Sequence, residues 1–337
     1  MTIDLTHHGD ADLVVGTADL AVNVRPGGPP SWLVEQIRSA DLAGYPDSSA
    51  ARQAVADQHH RSSDEVLLTA GAAEAFVLLA RALQPKRAVV VHPQFTEPEA
   101  ALLAAGHQVE RVVLPYPFTF DAKQVPADAD LVVIGNPTNP TSVLHARESL
   151  QSLVKPGRLV VVDEAFADCV PGEPESLARA DLTGLIVVRS LTKTWALAGL
   201  RIGYALAEAA TISLLRQGQS LWPVSSPALA AAIGTATPAA QTEVATWTHE
   251  LAAERNHLLQ RLAALPSMRV VPDPAASFVL IDTGSSGTRS ALLDQGFAVR
   301  RGETFPGLGP TWIRVAVRDR LTTDGFIAAL SKVIGDG

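Results

Sequence analysis

Five lysines occur in the chain (Lys86, Lys123, Lys155, Lys193 and Lys332), and one of them stands apart. Lys193 sits in Ser190-Leu191-Thr192-Lys193-Thr194-Trp195, among hydroxyl, apolar and small residues, with no acidic residue within eight positions on either side. An amine kept in such surroundings is desolvated, so its ammonium form is disfavoured and the free amine becomes a usable nucleophile. Schiff-base chemistry with an aldehyde needs that property. The plainer alternative is a surface lysine with uncharged sequence neighbours. Asp163 closes the apolar run Leu159-Val160-Val161-Val162, where a lone carboxylate is costly unless a cation or donor meets it. Asn136 follows Leu131-Val132-Val133-Ile134-Gly135 and offers an amide donor suited to a phenolate-type ring oxygen. Gly71-Ala72-Ala73 opens a helix whose backbone N–H groups and dipole can hold a phosphate. Ser190 and Arg201, three residues before and eight after the lysine, can add a hydroxyl and a bidentate guanidinium. Phe95 can stack on a planar ring.

The elements that must position these groups have a clear rhythm. Short apolar runs at Val66–Thr69, Ala88–Val91, Leu131–Ile134, Leu159–Val162 and Leu185–Val188 alternate with helical segments, and each ends in small or polar residues. That alternation predicts an α/β fold: a large domain with a mainly parallel sheet covered by helices on both faces. Ligands bind at the carboxyl ends of strands in such sheets, so five strand ends converge on one crevice. Arg25-Pro26-Gly27-Gly28-Pro29-Pro30 reads as a loop or extended arm, with Ser31 capping the helix that follows to about Arg38. Gly44-Tyr45-Pro46-Asp47 is a turn, and Ala50 to His60 resumes helical character. Pro223 to Pro227 breaks the chain before a long helix from about Ala239 through Leu265. Phe278–Ile281, Phe297–Val299 and Trp312–Val317 belong to a smaller α+β C-terminal domain. The expected division is an arm at 1–30 joining the small domain, a large domain at 31–230 and a small domain at 231–337.

Bulk properties exclude several classes. A formal net charge of −8 and a pI near 5.6 argue against a nucleic-acid partner. The single cysteine, Cys169, allows no disulfide framework and suits a reducing compartment. Met1 to His8 shows neither a basic flank nor an apolar segment of a leader peptide, and no run is long enough to span a membrane. A cytoplasmic protein is the expectation. The histidines show no metal-ligand spacing supported by carboxylates, so no metal is expected.

Taken in order, Asn136-Pro137-Thr138, Asp163-Glu164-Ala165, Ser190-Leu191-Thr192-Lys193 and Ala198-Gly199-Leu200-Arg201-Ile202-Gly203-Tyr204 resemble the fold-type I pyridoxal-phosphate enzymes of the aminotransferase class I/II superfamily, across essentially the whole chain. The resemblance implies pyridoxal 5′-phosphate as cofactor, with Lys193 as the residue that bonds its aldehyde. Asp163 would face the ring nitrogen and Asn136 the ring oxygen, and Ala72, Ala73, Ser190, Thr192 and Arg201 would form the phosphate cup. It also implies a homodimer with shared sites, Tyr45 reaching the neighbouring subunit's cofactor phosphate. Arg314 would bind a substrate carboxylate with Arg300 assisting, while Asn23, His8, Arg25 and Tyr45 are candidate contacts for a small phosphorylated amino-acid substrate. For Arg301 and Arg318 a solvated surface is the preferred reading.

Two branches compete. His8-Gly9, Asn23 with Gly28-Pro29-Pro30, Pro93-Gln94-Phe95-Thr96-Glu97, Pro171-Gly172-Glu173 and Phe305-Pro306-Gly307-Leu308 look more like the L-threonine-O-3-phosphate decarboxylases of cobalamin biosynthesis. Histidinol-phosphate aminotransferases are the sister branch, and they usually carry a tyrosine where this chain has Phe166. The expectation is therefore a lyase first and a transaminase second. A non-catalytic binding module lacks support, because no basic arm or DNA-binding segment is visible. A nucleotide-binding protein has only incomplete glycine fingerprints near Gly284 and Gly307.

Overall fold

Branched aliphatic runs set the architecture, because each can bury side chains on both faces of a strand. The computed structural model describes residues 4–265 and 268–335. Residues 1–3, part of the stretch in which no leader peptide was visible, lie outside the described residues, as do 266–267 and 336–337. In chain order the elements are β1 (Ala18–Leu20), α1 (Ser31–Arg38), α2 (Ser49–His59), β2 (Val66–Thr69), α3 (Ala72–Ala82), β3 (Ala88–His92), α4 (Glu97–Ala104) and β4 (Val109–Val113). There follow β5 (Leu131–Gly135), α5 (Arg147–Gln151), β6 (Leu159–Asp163), β7 (Leu185–Ser190), β8 (Gly203–Leu206), α6 (Ala209–Gln217), α7 (Ser226–Thr235) and α8 (Pro238–Ala263). The chain ends with β9 (Arg269–Val270), β10 (Phe278–Asp282), α9 (Thr288–Asp294), β11 (Phe297–Arg301), β12 (Trp312–Ala316) and α10 (Arg320–Gly335).

Seven strands form one sheet in the order β2-β8-β7-β6-β5-β3-β4, parallel except for β8, which runs antiparallel to both β2 and β7. Alternate residues feed two apolar clusters. Val89, Val91, Val132 and Val160 pack toward one face, with Leu33 of α1 and Val55 of α2. Val90, Leu131, Val133 and Val161 pack toward the other, with Phe76 of α3 and Leu215 of α6. Five strands form the second sheet, β1-β11-β12-β10-β9, in which β1 pairs in parallel with β11 and the rest are antiparallel. Its core gathers Phe278, Ile281, Val299 and Val315 beneath Leu251 of α8 and Phe326 of α10.

Several local expectations shift. Ser31 is the first residue of α1 rather than its cap; Pro30 holds the cap position and no side chain caps the helix. The break at Pro223 ends at Ser225, whose hydroxyl accepts from the Ala228 N–H, and Pro227 sits in the first turn of α7, where no N–H is needed. Helix α8 starts at Pro238 under a Thr237 cap. Gly203 opens β8 where no side chain fits: a β-carbon would lie 2.6 Å from the Arg189 carbonyl oxygen and 2.9 Å from the Ala72 nitrogen. That close approach sets the start of α3 beside the end of β7.

Candidate active site

The register of β5, β6 and β7 brings Asn136, Asp163 and Ser190 to one edge of the large sheet. Gly135 pairs with Asp163, Asp163 with Val188, and the Asn136 N–H donates to the Asp163 carbonyl at 2.8 Å. The Asp163 carboxylate is buried and accepts from the Ala165 N–H at 3.0 Å. Burial pushes its pKa up to about 6, with the Ala165 bond and then Lys193 pulling against that rise. Among the described residues no cation stands within ion-pair distance of it. The amide of Asn136 is clamped by the His145 backbone, its Oδ1 accepting at 2.8 Å and its Nδ2 donating at 3.1 Å, which leaves one amide hydrogen free.

Lys193 lies on the loop after β7. Trp195 anchors that loop edge-on against Trp32, with ring centroids 5.8 Å apart, and the Lys193 carbonyl accepts from the Arg25 N–H at 3.0 Å. Ala196 and Arg201 adopt left-handed backbone, each with φ of 54°. Such conformations cost roughly 1–2 kcal/mol each for a residue with a β-carbon, and they persist where surrounding structure holds them. Burial, then repulsion from Arg314 and Arg201, lowers the lysine's pKa to about 8 against the opposing pull of Asp163. Its Nζ stands 5.9 Å from the centroid of the Phe166 ring.

The start of α3 faces the guanidinium of Arg201. Gly71 has φ of +78°, and a β-carbon there would lie 2.6 Å from Arg201 Nη2. Ala72 and Ala73 supply the first helical N–H groups, and the hydroxyls of Ser190 and Thr192 bond each other at 2.8 Å. Helix N-terminus, guanidinium and paired hydroxyls thus form a glycine-floored cradle for a phosphate.

A cavity of about 430 Å³ opens between the sheets, walled by Lys193, Arg201, Phe95 and Phe166 on one side and by Arg300, Arg314, Asn23 and His8 on the other. Asn136, Asp163, Ser190 and Thr192 are buried and do not line it. Arg314 is buried, donates to the Asn139 side chain and the Ala21 carbonyl, and has no carboxylate within ion-pair distance among the described residues. Burial, then Arg300, pushes its pKa well down. With its amide oxygen turned inward, Asn23 accepts from Arg314 Nε and Nη1 at 3.2 and 3.0 Å. Arg300 is already engaged, donating to Asp12 at 3.2 Å and to the His7 carbonyl at 2.7 Å. His8 meets Glu97 at 2.6 Å and leans on Phe95 with centroids 5.5 Å apart. Arg25 pairs with Glu243 at 3.3 Å and does not line the cavity. Tyr45 is not brought to this cavity; it is exposed and stacks on Trp222 at 4.2 Å.

Arg301 and Arg318 are not solvated as expected. Arg301 donates to Asp12 at 2.9 Å, and Arg318 is mostly buried, donating to the Asp19 and Val22 carbonyls at 2.9 and 2.7 Å. Cys169 is buried, its thiol pushed up to about 12 chiefly by that burial. Two residues went unnoticed in the sequence. Asn139 lies one residue beyond the Asn136-Pro137-Thr138 motif, and Asp12 carries no local signal.

These residues fit pyridoxal phosphate: a buried carboxylate with no cation at ion-pair distance among the described residues, a lysine whose pKa is lowered to about 8, and a cradle that a single β-carbon would obstruct. Fold and site together define a pyridoxal-phosphate enzyme with two sheets flanking one lysine. The chain belongs to the aminotransferase class I and II family, whose model matches residues 16–330 and whose members depend on pyridoxal phosphate. A histidinol-phosphate aminotransferase of Mycobacterium bovis is 49% identical over 93% of this chain and 86% of its own length. A threonine-phosphate decarboxylase of Salmonella typhimurium is 32% identical over 94% of this chain and 91% of its own. The crystal structure of a histidinol-phosphate aminotransferase from Clostridium acetobutylicum shares the fold with a TM-score of 0.85, at 24% identity over 95% of this chain and 99% of that one. Among the described residues, no helix is long and apolar enough to cross a membrane.

Replacing Asp163 with Asn tests the electrostatics. Its folded pKa near 6 exceeds the ordinary 3.8, so the ionised carboxylate weakens the cofactor-free fold by roughly 3 kcal/mol above pH 6 and by nothing below pH 4. Denaturant titrations of the cofactor-free protein should therefore find Asp163→Asn more stable at pH 7 and equal to wild type near pH 3.5. Activity of the loaded variant should fall by at least about 10²-fold. Equal stabilities at pH 7 would contradict the assignment.

Proposed function

We propose that this enzyme transfers an amino group between a small phosphorylated amine of the histidinol-phosphate kind and a 2-oxo acid such as 2-oxoglutarate. The observation that carries it is Arg314, a buried guanidinium beside Lys193 that, among the described residues, forms no ion pair with a carboxylate. A planar donor fork of that kind suits a substrate carboxylate. Within the family, 49% identity to the mycobacterial histidinol-phosphate aminotransferase supports the transaminase over the decarboxylase, at 32%. That reverses the order expected from short motifs. Those motifs sample a few short segments, whereas identity weighs the whole chain.

When bound, the cofactor supplies an electron sink conjugated to the carbon that carries the substrate nitrogen. Arg201, Ser190, Thr192 and the first N–H groups of α3 would hold its phosphate. Asp163 would keep a proton on its ring nitrogen, Asn136 would give its remaining amide hydrogen to the ring oxygen, and Phe95 would cover a ring face. Lys193 Nζ would serve as the base that takes the proton from the substrate carbon bearing nitrogen. Arg314 would hold the carboxylate of the 2-oxo acid and so fix its orientation over Lys193.

Decarboxylation of threonine phosphate remains the second reading, favoured by Phe166. A phenyl ring 5.9 Å from Nζ offers no phenol to the ring oxygen, which leaves Asn136 alone there. Purified enzyme given histidinol phosphate and 2-oxoglutarate should form glutamate without releasing CO₂. Release of CO₂ from threonine phosphate, with no glutamate formed from histidinol phosphate, would overturn the transaminase reading.

The same reading takes the enzyme as a homodimer in which Tyr45 of each chain serves the other's site. Its support is an exposed aromatic pair, Tyr45 on Trp222, with Leu221 beside it 79% exposed. Light scattering should return twice the chain mass. A monomer at micromolar concentration would contradict it.

A further inference from the structure

Asp12 ends a single helical turn, Gly9–Asp12, in the arm, and its side chain is fully buried. Three arginines and a histidine converge on its carboxylate. Arg301 Nε lies at 2.9 Å, Arg300 Nη1 at 3.2 Å, His7 Nε2 at 3.2 Å and Arg289 Nη1 at 3.6 Å. Burial pushes the acid's pKa up, but Arg300 and then Arg301 outweigh it and hold Asp12 below its ordinary value.

The arm thereby spans the cavity. At one end the Leu5 carbonyl accepts from Thr96 Oγ1 at 2.6 Å and His8 meets Glu97, the first residue of α4, at 2.6 Å. At the other end Asp12 grips Arg300 and Arg301 of β11. Between them Gly9 lies so close that a β-carbon would come within 2.7 Å of the Ala21 oxygen and 3.5 Å of Arg314 Nη2. The described residues 5–12 are absent from the three apolar clusters, so polar bonds keep this strap in place. Arg300, paired across the sheet with Arg314, is turned toward Asp12 and the His7 carbonyl and stands over the Phe305 ring at 4.9 Å.

We infer that Asp12 is a positioning residue for substrate: it fixes Arg300 and the arm so that Arg314 meets its anion in a covered cavity. This rests on the reading of Arg314 as the anion receptor. The carboxylate never touches substrate. It ties the arm to β11 and draws the Arg300 guanidinium toward itself, which leaves Arg314 as the receptor.

The test uses the loaded enzyme and its Asp12→Asn and Asp12→Glu variants. Binding of 2-oxoglutarate is read from the absorbance of the bound cofactor, and hydrogen exchange is followed in residues 5–12. The Asn variant should keep the cofactor absorbance, bind 2-oxoglutarate about tenfold more weakly, and exchange faster in the arm; the Glu variant should recover part of both. Equal binding with equal exchange would overturn the inference. So would tighter binding, which would mean that Asp12 only competes for Arg300, and so would loss of the cofactor from both variants. Failure of the wild-type enzyme to bind 2-oxoglutarate would count against the proposed function instead, and arm exchange alone would then decide the role of Asp12.

Discussion

The structure depends on a set of buried charges that are deliberately left one partner short. Burial, Arg314 and Arg201 lower the pKa of Lys193 to about 8, with Asp163 pulling the other way. Asp163 is in turn raised toward neutrality by its own burial. Each group would be cheaper in water, and an ion taken into a protein interior without a matched counter-ion costs several kcal/mol. Apolar clusters on both faces of the large sheet and under the small one offset that cost. In the proposed reading, an aldehyde, a ring nitrogen, a phosphate and a substrate anion would complete the bonds missing from the cofactor-free chain.

How these charges are placed explains what could be read from the sequence. Strands β3, β5, β6 and β7 announce themselves because central parallel strands are apolar on both faces, and in β6 and β7 the polar residue that ends the run, Asp163 or Ser190, is itself a candidate site residue. Strand β4 is silent: Val109-Glu110-Arg111-Val112-Val113 is a half-exposed edge whose charges disguise it. Strand β8 is short and antiparallel, and its residues read as a continuation of the arginine motif. Lys193 and Asp163 were legible because desolvation leaves a local trace, a charged residue amid uncharged neighbours.

The substrate side was less legible for a geometric reason. Arg300 and Asp12 meet across 288 residues of chain, and Arg314 and Asn139 across 175. Nothing local distinguishes Arg300, bound by a carboxylate, from Arg314, bound only by neutral groups. Arg318 looked like a surface residue, yet the arm carbonyls of Asp19 and Val22 draw it inward. Pairings made by tertiary packing alone decide which arginine stays free, and with it what the cavity can accept.

The chemistry of the site depends on the state of one amine. Titrating the reactivity of Lys193 in cofactor-free protein with an amine-modifying reagent, read by peptide mass, measures that state without any substrate. The midpoint should lie near pH 8, and it should rise when Arg314 is replaced by Gln, because that replacement removes a repelling charge. A midpoint near the ordinary 10.5, unmoved in the Arg314→Gln variant, would contradict it.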